Sequence, residues 1–108
     1  MMLNLNEMAK EVHIVAKQKG FWDGEYSYDK IGNKLALVHS EVTEVLEAIR
    51  KDKGSGAIVE EMADVIIRLV DIYQAMADEG EILHSLDEVV YSKIEKNRQR
   101  EHLHGNKF

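Results

Sequence analysis

Apolar residues along this chain recur mostly at three- and four-residue spacing, the period of an α-helix and not the strict alternation of a strand. The pattern predicts four helices. The first spans about Leu5 to Lys19, with Asn4 placed to cap it, Leu5, Met8, Val12 and Val15 on its apolar side, and Gly20 to stop it. A loop, Phe21 to Tyr26, follows. The second helix starts near Ser27 to Asp29 and runs to about Lys51, carrying Ile31, Leu35, Val38, Val42, Val45 and Ile49 on one face. Gly54-Ser55-Gly56 breaks the chain before the third helix, about Ala57 to Asp78. That helix is apolar around most of its circumference, which predicts a central position, buried by neighbours or by a second subunit. Gly80 ends the region, and Ser85-Leu86-Asp87-Glu88 has capping-box spacing for a fourth helix reaching about Arg100. The expected fold is an all-α, compact, four-helix bundle-like domain, a single unit over residues 1–108.

The polar positions that interrupt this pattern are the informative ones. Glu41-Val42-Thr43-Glu44 lies on the second helix and Glu61-Met62-Ala63-Asp64 on the third. Each doublet has i, i+3 spacing, which sets its two carboxylates about one turn apart on one side of its helix. Glu61, Asp64, Arg68 and Asp71 form one polar stripe on an otherwise apolar helix, and a buried helix does not carry such a stripe without partners. The two doublets are expected to face each other, with Glu47 directed the opposite way into solvent. Four facing carboxylates repel one another unless a cation sits among them, and all-oxygen ligands select Mg²⁺ first and Mn²⁺ next. Arg68, four residues after Asp64 and three before Asp71, also fits a salt-bridge partner within its own helix.

The fourth helix changes character along one face. Leu86, Val89 and Val90 give way to Lys93, Asn97 and Arg100, a row of donors suited to phosphate oxygens. Cations near a helix C-terminus also complement the macrodipole, as Lys96 and Arg98 do. Phe21 and Trp22 place two aromatics in the first loop, where they either plug the core or stack a nucleobase, Trp22 being the better stacking candidate. His13, His39 and His84 have no evident partner and read as surface residues.

Composition narrows the classes. A chain of 108 residues has the length of one domain and buries little of its surface alone, so self-association as a homodimer or homotetramer is expected. With no cysteine there is neither a disulfide framework nor a thiolate site, which fits a cytoplasmic protein. A net charge of −6 argues against coating nucleic acid. No membrane segment is expected, because Glu60, Glu61, Asp64, Arg68 and Asp71 interrupt the most apolar stretch, and the N-terminus has no apolar run resembling a signal peptide.

The ordered combination of motifs resembles the MazG-like nucleoside triphosphate pyrophosphohydrolases of the all-α NTP pyrophosphatase group. It comprises G-F-W at Gly20 to Trp22, S-E-V-T-E at Ser40 to Glu44, E-E-M-A-D-V-I-I-R at Glu60 to Arg68, and Lys93, Asn97, Arg100, His104 and Gly105. The resemblance implies that Glu41, Glu44, Glu61 and Asp64 bind Mg²⁺, that Lys93, Asn97 and Arg100 contact phosphates, and that a nucleoside triphosphate is split at its α–β bridge. It also implies a dimer or tetramer. Many members have a further Glu before the first doublet where this chain has Ser40, which leaves open the number of metals and the carboxylate that activates water. A phosphoribosyl-ATP pyrophosphohydrolase shares the acidic doublets, and a non-enzymatic helical dimerisation module is the alternative of another class. A di-iron bundle is excluded, because the strings Glu81 to His84 and Glu101 to His104 would sit about 30 Å apart on continuous helix.

Overall fold

The computed structural model describes residues 4–100 and contains α1 (Leu5–Gln18), α2 (Tyr28–Arg50), α3 (Ser55–Asp78) and α4 (Leu86–Gln99), with no strand among the described residues. Three helix starts are fixed by side chains. Asn4 accepts from the Glu7 amide at 3.0 Å, Ser27 from Lys30 at 3.1 Å and Ser85 from Glu88 at 3.4 Å. The Glu88 carboxylate makes no return bond, so only half of the capping box forms. α3 begins earlier than its apolar pattern suggests. Gly54, at φ +95°, is its N-cap, and Ser55 and Gly56 belong to the first turn, where amides need no helical partner and a glycine costs little.

α3 is central, packed against α2 on one side and α1 on the other, whereas α4 rests mainly on α1. The four helices therefore do not close into a bundle within one chain, and no residue of α4 is buried. The radius of gyration, 16.2 Å, exceeds the about 13 Å of a compact domain of this length. What holds α4 is an exchange of caps. Asp87 accepts from the Leu5 amide at 2.7 Å and from Asn6 at 3.3 Å, while the Asn6 side chain accepts from the Asp87 amide at 2.8 Å and from the Ser85 hydroxyl at 3.0 Å. Each helix thus satisfies the orphan amides of the other.

The core is small. Ile31, Ile72 and Ala75 form its centre, with Trp22, Tyr26, Val38 and Met76 packed around them. The inward line of α2 runs through Ile31, Lys34, Val38, Glu41, Val45 and Ala48. Leu35, Val42 and Ile49, expected on that same face, are exposed together with Leu46. The apolar arc of α2 is wider than one neighbour can cover, and α3 takes only part of it. On α3, Val59, Met62, Ile66 and Leu69 are likewise exposed, one row along the helix that the other described residues leave open. No described helix is long and apolar enough to cross a membrane.

Candidate active site

The four residues Lys51–Gly54 turn α2 back along α3, and this hairpin brings carboxylates of both helices together. Glu41, Glu61 and Asp64 each offer an oxygen, all within 4.8 Å of one another. Glu41 reaches this position because it lies on the inward line of α2, and Glu61 and Asp64 because one turn of α3 separates them. Glu44 is exposed and stands outside the group of three.

Arg68 joins the cluster across the helix pair. Its Nε donates to Glu41 Oε1 at 2.7 Å, with the two side chains 38% and 18% exposed. The in-helix pairing with Asp64 or Asp71 does not form. A guanidinium facing α2 finds an acid on the inward line, and the contact is charge-assisted and partly shielded from solvent. One cation among three carboxylates leaves two negative charges uncompensated. The donor set is all-oxygen, comes from two packed helices and is partly buried, so it fits a hard divalent ion, Mg²⁺ or Mn²⁺.

Beside the acids opens a cavity of about 530 Å³. Glu41, Asp64, Arg68 and Asp71 line its polar side, and Val12, Val15, Phe21 and Ile67 its apolar side. Val12 and Val15, on the predicted apolar side of α1, line this opening. The residues of α1 that are buried are Ala9, His13 and Ala16.

His13 is accordingly not a surface residue. It is 5% exposed, and its Nδ1 lies 2.7 Å from Asp71 Oδ1 while Nε2 faces Asp78 at 3.7 Å. Trp22 donates its indole N–H to the same Asp71 carboxylate at 3.0 Å and meets the His13 ring edge-on at 5.4 Å. Asp71 thus joins the buried His13 to the half-buried Trp22 while still bordering the acid-edged cavity. The signal in the sequence was Ala9, His13 and Ala16 at helical spacing, since two alanines let α1 approach α3 closely and the residue between them is then enclosed. His39 and His84 are exposed.

Trp22 is half-buried against the core and borders a smaller cavity of about 160 Å³, with His13 and Asp78, whereas its neighbour Phe21 faces the acid-edged one. Glu47 is not free in solvent but pairs with Arg50 at 3.8 Å and Lys51 at 3.6 Å. The donor row is elsewhere. Lys93, Asn97 and Arg100 are exposed on α4 or at its end, Lys93 lines a separate cavity with Glu88, Ser92 and Lys96, and none of the three borders the acid-edged cavity. His104 and Gly105 lie outside the described residues.

The family described as the MazG nucleotide pyrophosphohydrolase domain matches residues 30–104. No curated protein and no solved structure matches the chain. The matched segment holds the acids and the donor row, and it leaves out α1 and the Phe21–Trp22 loop.

Proposed function

Since the chain belongs to the MazG nucleotide pyrophosphohydrolase family, we propose that it splits nucleoside triphosphates into the monophosphate and pyrophosphate, with Mg²⁺, or Mn²⁺ in its place, held by Glu41, Glu61 and Asp64. The observation that carries this reading is the convergence of three carboxylates from two helices within 4.8 Å, at the edge of a cavity large enough for a small molecule. A divalent ion bound there supplies neutralisation of phosphate oxygens and a more acidic water. Arg68 orients Glu41 by holding one of its oxygens. Glu44, one turn from Glu41 on the same side of α2, is the fourth acid of the set.

Lys93, Asn97 and Arg100 bind the phosphates from a second copy of the chain. Two features support that arrangement: these donors do not border the acid-edged cavity of their own chain, and the exposed apolar rows on α2 and α3 call for cover. The working form is thus a homodimer or a dimer of dimers, and its role is nucleotide-pool sanitation in the cytoplasm.

The test is incubation of the purified protein with Mg²⁺ and a panel of canonical and modified triphosphates, followed by assay of pyrophosphate. Release from at least one substrate, stopped by excess chelator, is the expected result. No release from any triphosphate, or full turnover in a verified metal-free sample, overturns the proposal.

A further inference from the structure

Phe21 is an exposed aromatic whose backbone is nonetheless pinned. It is 54% exposed, yet its amide donates to Ala16 O at 3.0 Å and its carbonyl accepts from Lys34 Nζ at 2.6 Å. The turn that delivers it passes through Gly20 at φ +83°, a conformation that favours glycine. The backbone is therefore held so that the ring borders the acid-edged cavity, with Lys34 Nζ 5.7 Å from its centroid. Val15 and Ile67 line the same space while 48% and 42% exposed.

The cavity has a direction. Glu41, Asp64 and Asp71 line it from α2 and α3, whereas α1 and the loop after it contribute the mainly apolar Val12, Val15 and Phe21. A nucleotide has the same asymmetry, phosphates at one end and a flat π-face at the other. At about 530 Å³ the space falls within the roughly 300–1,000 Å³ usual for small-molecule sites. Glu11 and Lys19 also line it, one an acceptor and one a donor for the polar edge of a base.

We propose that this cavity seats the nucleoside end of the substrate, with the base stacked on Phe21 against the Val12–Val15 side of α1. The assignment rests on the pyrophosphohydrolase reading above and deepens it. Base selection then resides in α1 and its loop, ahead of the segment 30–104 that carries the family match, while the acids common to the chemistry lie inside it.

The experiment is calorimetric titration of the full chain with Mg²⁺, using non-hydrolysable α,β-methylene triphosphates of the common nucleosides and, in parallel, inorganic tripolyphosphate. At least one analogue should bind about ten-fold more tightly than tripolyphosphate, Phe21→Ala should remove most of that margin, and Phe21→Trp should keep it. Should Phe21→Ala fail to fold by circular dichroism, Val15→Asn on the exposed face of α1 is read for the same loss. Equal affinity of analogues and tripolyphosphate for the unaltered protein, or a margin untouched by these substitutions, overturns the cavity assignment and leaves the acid site standing. If neither class of ligand binds, the pyrophosphohydrolase reading falls as well.

Discussion

Glu61 and Glu47 form a matched pair of carboxylates on facing helices with different surroundings. Glu61 makes no ion pair among the described residues and sits with Glu41 and Asp64. Glu61→Gln should lower pyrophosphate release by about a hundred-fold or more and leave the melting temperature unchanged or raised, since one of several repelling charges is gone. Among the described residues Glu47 pairs with the exposed Arg50 and Lys51. Glu47→Gln should cost at most about 0.5 kcal/mol in urea denaturation and leave turnover alone. Asp71 tests a buried contact. Asp71→Ala strands the His13 ring and the Trp22 N–H without an acceptor, and a loss of about 2–3 kcal/mol is expected in the same denaturation measurement; a loss under about 0.5 kcal/mol means the network does not stabilise the fold. The acidic doublets were legible because i, i+3 spacing is a property of one helix. The Arg68–Glu41 pair, the enclosure of His13 and the divergence of Phe21 from Trp22 were not, because each depends on which neighbour a helix face meets.

Element positions follow from local signals, and here those signals were strong: three side-chain caps and an apolar period. Orientation did not follow as easily. On α2 the residues 31, 35, 38, 42, 45 and 49 form one apolar arc, yet α3 meets the half that includes Lys34 and Glu41. Two glycines show how position within an element decides the sign of a substitution. Gly32 lies inside α2 with open space around it, so Gly32→Ala should stabilise by about 0.5–1 kcal/mol. Gly20 has φ +83° and an added Cβ would approach Asp23 Oδ2 to 3.0 Å, so Gly20→Ala should destabilise by about 1–2 kcal/mol. Thermal melts of both variants check the pair; shifts of the same sign would contradict this account of the turn.

At the scale of the molecule, the described helices leave long apolar rows exposed. Leu35, Val42, Leu46 and Ile49 on α2, and Val59, Met62, Ile66 and Leu69 on α3, are rows at helical spacing left exposed among the described residues. Light scattering at micromolar concentration should give a dimeric or tetrameric mass, and a strictly monomeric mass refutes the second-copy role of Lys93, Asn97 and Arg100. Saturating Mg²⁺ without nucleotide should raise the melting temperature, because an ion that binds only the folded acids stabilises them by mass action. An unchanged melting temperature counts against a site formed before substrate arrives. An all-α fold of four helices was readable from one sequence; the open packing of α4 was not, since periodicity says which face is apolar and nothing about what covers it.

The exchange of caps between Asn6 and Asp87 gives the fourth helix two different clocks. Its first turn is locked to the start of α1 by bonds spanning about eighty residues of sequence, so those amides can open only when α1 itself lets go. Beyond Tyr91 the helix is exposed at every position, and among the described residues Ser92 to Gln99 make no bond to α1. Deuterium uptake should therefore be slow at Asp87 to Val89 and fast from Ser92 to Gln99 in dilute protein. If a second copy does receive the donor row, raising the protein concentration will slow the fast group toward the slow one, and the order of protection along fourteen residues becomes a direct readout of assembly.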